Sequence, residues 1–545
     1  MSKKLRTSVA PDGNFILGLH KPFFVTKNLR SGKALSTLGL LSDGQELRNE
    51  GNFPDGDIEE KFGKWIYEIP NAFAFRGTTY IDSKWAEGRA EDPSSIRLSG
   101  HGECSLRATL AAHVSPENYG RILSELPLPL RYALAAESTD AEELVALAAT
   151  CARFVWDGEG KPLGLRYKSS DKGAPRPDID DFELFETIAN NPALPDVYKE
   201  VMVLRPGVQG NSEIVGTYRQ GSTKVFEYLR RNSYIPWGHY AANMASDAVR
   251  YRIEDLSLSD MFGLRHLYYQ RIMAILATEL GLAAQFAQET MSMEELEGLR
   301  KRIVELLPGW GKHPACLWGW NFGYNISASG YRLHASHQMI HQQYAMVPEA
   351  VPLVGGDDSL DVMTCYSCGD QVAEVVERYR KDYRSDFFTD YLRCLRENRR
   401  IDTPDKAESL IIWEDENVLL FVPKAQVSQW EIQIMVVADS DGQPVGNIVE
   451  ADSGLRRSLD SAIYLAQKIF ARLGARMVTS VEYSKRLGIV NSQRLLYSLV
   501  PKLPWAMGAF SEAQYRYISG HYPEDFAALC KEVLRKIIVD ENLSM

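Results

Sequence analysis

The residues best suited to chemistry in this 545-residue chain lie between positions 329 and 348, a stretch that holds three of its ten histidines, His334, His337 and His341. Read as an extended strand, side chains two apart share a face. His337, Met339, His341, Gln343 and Ala345 then line one face, and His334, Ser336, Gln338 and Ile340 line the other. A serine at 336, a histidine five residues on and a glutamine two beyond it suit work on a phosphate. A neutral imidazole attacks phosphorus, while hydroxyl and amide groups hydrogen-bond the charged oxygens around it. His341 is therefore the candidate nucleophile, Gln343 the candidate donor to a non-bridging oxygen, and Ser336 a candidate phosphate contact. His337 stands about 13 Å from His341 along an ideal strand, where a distal phosphate or a metal is in reach. Asn321, Asn325 and Ser329 lead into the strand as candidate ribose or phosphate contacts. Strict alternation sets Ser336 and His341 on opposite faces, so a joint role requires a bulge or turn between them.

Cys365-Tyr-Ser-Cys368 is the only Cys-x-x-Cys in the chain. One such pair is half a zinc site, because structural Zn²⁺ takes four ligands. Cys394, Cys316, His334 and His337 are the available completers, with no second pair at ligand spacing. Structural zinc on Cys365 and Cys368 is one expectation and buried, inert thiols the other. No phosphate-binding P-loop, Rossmann fingerprint, His-Glu-x-x-His or Gly-x-Ser-x-Gly occurs.

The remaining composition narrows the class. A formal net charge of −11 argues against a general nucleic-acid surface but leaves room for a small anion in a local pocket. The basic start, Met-Ser-Lys-Lys-Leu-Arg, is followed by no apolar run of the secretory kind. The apolar stretches at 144–156 and 273–287 are broken by polar residues and fall short of a membrane span. Seven cysteines, an odd and sparse set, fit a reducing compartment. These features predict a cytoplasmic protein with no membrane association.

Around the histidine stretch the sequence predicts positioning elements in four segments. Residues 1–200 mix short strand-like runs with loops, closing in a polar linker or surface loop at 157–181, and their role is not legible. Residues 201–350 carry strand-like runs at 213–245. A helix follows from Ser257, where Asp260 makes a capping box, and a second from Ser292 with Glu295. Strands are then expected at 315–325 and 331–347. Residues 351–404 connect, with helices at 370–398. Residues 405–545 repeat the order: strands at 409–422 and 430–437, a helix at 455–473 ended by Gly474, strands at 476–483 and 493–500, and a helix opened by Pro523. Runs of strands broken by segregated helices predict an α+β fold around antiparallel sheets.

Ser336-His337-Gln338-Met339-Ile340-His341-Gln342-Gln343 resembles the Ser-x-x-His-x-His-x-Gln strand of the galactose-1-phosphate uridylyltransferase branch of the histidine-triad (HIT) superfamily, which also contains diadenosine tetraphosphate phosphorylases. Glu416 through Glu431, with Pro423 and Trp430-Glu431, and Met507 through Cys530 are similar to that family's second repeat and closing helix. The resemblance covers about 210–350 and 405–535. It implies two HIT-like repeats and a nucleotidyltransferase moving a nucleoside monophosphate through a covalent nucleotidyl-histidine at His341 to a phosphate-bearing acceptor. The alternatives are a dinucleoside polyphosphate phosphorylase or hydrolase using the same histidine, and a nucleotide-binding protein without turnover. Substrates are then nucleotides or nucleotide-sugars, and a homodimer is implied by the pairing of HIT halves. Met339 replaces the family's first motif histidine and Arg494-Leu-Leu-Tyr-Ser-Leu-Val lacks its later ones, so the family's metal sites are not carried over.

Overall fold

The computed structural model describes residues 4–20, 24–26, 37–49, 57–60, 66–98, 102–169, 176–189, 191, 193–203, 253–282, 291–323, 341–354, 361–439, 441–503 and 507–543. The strands that matter here are, in chain order, Gly18–His20 (β1), Ile66–Pro70 (β2), Thr78–Asp82 (β3), Ala315–Gly323 (β4), His341–Val347 (β5), Ile411–Glu414 (β6), Val418–Phe421 (β7), Ile432–Val436 (β8), Met477–Tyr483 (β9), Leu496–Pro501 (β10) and Arg516–Ser519 (β11). The helices around them are Leu258–Glu279 (α1), Met293–Leu306 (α2), Cys368–Tyr383 (α3), Phe387–Arg396 (α4), Ser453–Arg472 (α5) and Pro523–Asp540 (α6). The architecture is α+β, as the segregated strand and helix runs predict.

Seven strands form one sheet in the order β5-β4-β9-β10-β8-β7-β6, and every neighbouring pair is antiparallel. A smaller sheet runs β1-β2-β3-β11; its β3–β11 pair is parallel and joins residues 78–81 to 516–519. The expected strand over 409–422 is two strands, because Asp415 accepts from the N–H groups of Asn417 and Val418 and turns the chain between β6 and β7. The first segment is richer in helix than its strand-like runs suggest, with helices at 116–125, 128–137, 141–151 and 182–189. The stretch 157–181, expected as linker, contributes strand Pro162–Leu165 and the pair Tyr167–Lys168 with Arg176–Pro177. The strand-like runs at 213–245 lie outside the described residues.

Helix starts follow local chemistry. Ser257 and Asp260 form the reciprocal capping box of α1, and Ser292 with Glu295 that of α2. Gly474, expected to end α5, has φ +94°, a conformation that costs other residues strain. Both α1 and α5 are buried nearly all round, so they are central helices rather than surface ones. They pack on each other, and α5 also packs on β7 and β8 while α1 reaches β5.

The seam between α1 and α5 carries charge. Arg265 and Asp460 each stand eight residues past the N-cap of their helix (257 to 265, 452 to 460) and meet face to face. The Arg265 Nε donates to Asp460 at 2.9 Å and to the Tyr269 hydroxyl at 3.1 Å, and Nη2 donates to the Tyr497 hydroxyl at 2.9 Å. Its guanidinium lies 4.4 Å from the Trp318 ring centre and 5.2 Å from that of Tyr497. Below, Glu482 accepts from Tyr268 at 2.9 Å and Tyr497 at 2.5 Å. Burial raises Asp460 to about 6 and raises Glu482 as well, against the pull of Arg265.

The opposite face of the sheet is closed over β10, β8 and β7 by the turn at 71–77 and by α4. Phe73 packs on Phe387, and Tyr391 on Phe421. Arg76 is the polar pin: its Nη1 donates to Glu431 at 2.7 Å and its Nη2 to the Ser498 hydroxyl at 3.0 Å. Glu431 also accepts from Val427 N–H, Gln433 and Ser498. Glu431→Gln keeps the shape and removes the charge. It is expected to cost roughly 2 kcal/mol, the scale of a hydrogen bond to a charged group, read as a lower urea midpoint at unchanged m-value.

Two buried histidines give acid sensitivity. Burial, with the Arg89 charge nearby, takes His521 down to about 3, and burial takes His266 down to about 4. Both fall below the unfolded value of about 6.5, so the unfolded chain binds the proton first. Their contribution is whole above that value and is lost as pH falls through the window toward 4, at about 1.4 kcal/mol per pH unit each. Asp460, raised, works in the opposite sense over part of the same window. The difference between variants isolates the histidine. His521→Phe, seated between Trp430 and Phe526, is expected to lose less stability than the parent between pH 6.5 and 4 in urea titrations.

Candidate functional site

β5 pairs with β4 in a register that sets His341 opposite Asn321 and Gln343 opposite Gly319. β4 pairs with β9, bringing Asn321 opposite Thr479 and Gly319 opposite Val481. One cross-strand row therefore runs Gln343–Gly319–Val481–Ser498–Gln433–Phe421. The next row runs His341–Asn321–Thr479–Val500. Alternation over 341–347 follows the sequence reading. Gln342 turns to the helix side, where it accepts from Trp318 Nε1 at 2.8 Å and donates to the Leu264 carbonyl at 3.2 Å. Gln343 belongs to the other face.

That face changes character along its rows. At the Ser498–Gln433 end it is buried under Arg76 and Phe73. At the β5 end Gln343 and Ala345 are exposed, and Gly319, Asn321 and Thr479 are half-buried. The Thr479 hydroxyl donates to Asn321 Oδ1 at 2.7 Å. A Cβ built on Gly319 meets no described atom nearer than the Ser480 carbonyl oxygen at 3.9 Å. No described position on this face of β4, β5 or β9 carries a charged side chain. An uncharged face with amide and hydroxyl groups offers hydrogen bonds to an anion without repelling it.

Among solved structures the chain is similar to a uridylyltransferase mutant, at 16% identity and a TM-score of 0.31, over 45% of this chain and 74% of that one. It is similar to an ADP-glucose phosphorylase from Arabidopsis thaliana with bound ADP-glucose, at 18% identity and a TM-score of 0.30, over 44% of this chain and 64% of that one. A galT-like protein from the same plant gives 18% identity and a TM-score of 0.29, over 44% of this chain and 67% of that one. These neighbours are uridylyltransferase and galT-like proteins, the branch that the sequence resembles. No protein-family model matches the chain, and no curated protein does.

Ser336, His337, Asn325 and Ser329 lie outside the described residues, as do the bulge or turn expected between Ser336 and His341 and the zinc completers His334 and His337. Asn321, a candidate contact leading into the histidine strand, lies within β4, inside the strand expected at 315–325. Thr479 and Gly319 were not singled out from the sequence. The signal was present: in Trp318-Gly319-Trp320-Asn321-Phe322, aromatics alternate with small or polar residues, so one face is core and the other is not.

The Cys365–Cys368 pair does not gather ligands among the described residues. Cys368 Sγ donates to the Glu482 carbonyl at 3.1 Å, and burial pushes its thiol up to about 11, whereas a metal-bound cysteine is a thiolate. Cys394 is turned to the carbonyls of Ala10 and Asn14, and Cys316 is buried in the core. No group of three His, Cys, Asp or Glu side chains suited to a metal occurs among the described residues. The described residues do not fit a zinc site. Among the described residues no helix is long and apolar enough to cross a membrane.

Proposed function

We propose that this chain is a nucleotidyltransferase that carries a nucleoside monophosphate on His341. The observation that supports the reading is the register of β5, β4 and β9. It sets His341 in one cross-strand row with Asn321 and Thr479, beside the row of Gln343 and Gly319. In the first step the imidazole lone pair attacks the α-phosphorus. A P–N bond forms, the P–O bond to the leaving phosphate or sugar phosphate breaks, and the electron pair departs with that oxygen. In the second step an acceptor oxygen attacks the same phosphorus, the P–N bond breaks, and the acceptor loses its proton. Gln343 donates an amide N–H to a non-bridging oxygen as charge gathers there, and Ser336 and His337 contact more distal phosphate.

Two HIT-like repeats give this site its frame. α1, β4 and β5 follow the same order as α5, β9 and β10, and Arg265 and Asp460 occupy matching helix positions across the seam. The second repeat has Ser498 and Val500 on the strand matching β5, and Arg76 covers it. One repeat keeps the chemistry and the other keeps the fold.

The test is a pulse and chase. The protein is mixed with α-³²P-labelled ADP-glucose, UDP-glucose, GDP-sugars and diadenosine tetraphosphate, and labelled protein is isolated by filtration in base. Label that is lost in acid and stable in base marks a phosphoramidate. A chase with sugar 1-phosphate, inorganic phosphate or water identifies the acceptor. Turnover of any of these substrates by a protein that never carries label overturns the covalent reading.

A further inference from the structure

The one parallel pair among the described strands is β3 with β11, where Ile81 lies opposite Ser519. Both strands therefore end on the same side of the smaller sheet. There β3 passes into a helix at Ser83–Glu91 and β11 passes into Gly520. The space past the carboxyl ends of parallel strands, beside a helix that follows one of them, is where open sheets hold small ligands. Here that space is a cleft of about 530 Å³, a volume within the range of small-molecule sites. None of its lining residues lies on β4, β5 or β9.

Local sequence sets the lining. Trp85, Gly88 and Arg89 stand three and four positions apart, on one face of the helix, and all three border the cleft. Ile518 and Gly520, two apart at the end of β11, border it from the sheet. Trp85 is 59% exposed and Ile518 56%, so two large side chains are left in solvent around the same cleft. A Cβ on Gly88 would meet no described atom within 4 Å.

Arg89 is the one charged residue in the lining. Its Nη1 donates to the Ser95 carbonyl at 3.0 Å, a contact that uses one of five guanidinium donors and holds the group beside the cleft. The helix N-terminus is already occupied, because Asp82 accepts from the N–H groups of Lys84 and Trp85 at 2.9 and 3.2 Å. In a chain of net charge −11, a lining with one cation and no carboxylate selects an anion. Ser95 and Gln429 add hydroxyl and amide groups to the lining. A lone aromatic among hydrogen-bonding groups suits a hydroxylated ring, whose C–H groups pack on the electron-rich indole face.

We propose that the cleft between the helix Ser83–Glu91 and the end of β11 binds a hydroxylated ring bearing one anionic group, with the ring on Trp85 and the anion on Arg89. Carboxylate and phosphate share this chemistry. The proposal is independent of the nucleotidyl-transfer reading, since it draws on no residue of that face.

Calorimetric titration of the full chain with glucuronate and with glucose 6-phosphate distinguishes the two anions, and glucose and inorganic phosphate supply the separate halves. One of the anionic sugars is expected to bind about tenfold or more tightly than either half. Arg89→Gln and Trp85→Ala are each expected to weaken it by about tenfold or more, the scale of a hydrogen bond to a charged group, without lowering the melting temperature. Trp85→Glu sets a carboxylate four residues before Arg89, a helix-stabilising pair; it is expected to melt no lower than the parent and not to bind. Binding that is lost in these variants, by a chain that never takes label on His341, keeps the cleft and discards transfer. Affinity at the parental level in both Arg89→Gln and Trp85→Ala overturns the cleft. Affinity that falls in Gln343→Ala but not in Arg89→Gln belongs to the transfer face and overturns it too. A parent chain that binds neither anionic sugar at millimolar concentration, or binds inorganic phosphate as tightly, does the same.

Discussion

His341→Ala is expected to remove nucleotide transfer, lowering kcat/KM by roughly 10⁴-fold or more, the scale seen when a covalent nucleophile is deleted from a site that otherwise stays assembled. Binding is expected to survive, because the exposed Gln343 amide and its neighbours on β4 and β9 remain. The measurement pairs turnover with calorimetric affinity for the same nucleotide-sugar. Gln343→Ala gives the graded comparison. One donor to a charge-bearing oxygen is worth about 10²-fold in kcat, and Gln343 is exposed, so its loss should leave the melting temperature unchanged. Equal losses in the two variants, or affinity lost in step with rate, would mean that His341 shapes the face rather than attacking the substrate.

Arg265→Met is expected to give the largest loss of stability. The arginine is buried beneath Trp318 and bonds Asp460, Tyr269 and Tyr497. Methionine fills much of the volume but leaves a buried carboxylate without its cation, a change that costs about 3–5 kcal/mol. The deficit should depend on pH with a definite sign. Asp460 already has a raised value of about 6, and loss of the guanidinium raises it further. The penalty is therefore largest in base, where the carboxyl must be ionised, and shrinks as acid neutralises it. Urea unfolding at pH 8 and pH 5 reads both effects. Adding Asp460→Leu should recover most of the loss, since an apolar pair of similar volume replaces a broken ionic one. A single variant as stable as the parent at pH 8 would show that the seam between α1 and α5 is held by its apolar contacts alone.

What could be seen in the sequence was what depends on near neighbours. The Ser257–Asp260 and Ser292–Glu295 pairs are local capping chemistry, and the helices start where they say. Gly474 and Pro523 mark a helix end and a helix start for equally local reasons. Alternation from His341 to Val347 is a property of an extended chain, and Gln342 facing the helices bears it out. The same kind of signal was available and passed over at Ser367–Asp370, which caps α3, and at Asp140, whose carboxylate opens the helix at 141–151.

The rest depends on partners far along the chain. Arg265 finds Asp460 across 195 positions, and Arg76 finds Glu431 across 355; each reads as an ordinary surface charge until the fold buries it. Asn321 falls inside the strand expected at 315–325, but its place in a seven-stranded sheet is fixed by β5 on one side and β9 on the other. The pairing of β3 with β11 likewise has no local signature, since it joins strands from opposite ends of the chain.

The most direct test of the account is the mass of the peptide that contains His341. The protein is mixed briefly with ADP-glucose or UDP-glucose, quenched and digested in base, and sequenced by tandem mass spectrometry. A nucleoside monophosphate attached to His341, discharged when acceptor is added before the quench, is the result expected. The same adduct on another residue, or product formed while His341 stays unmodified throughout turnover, would contradict it.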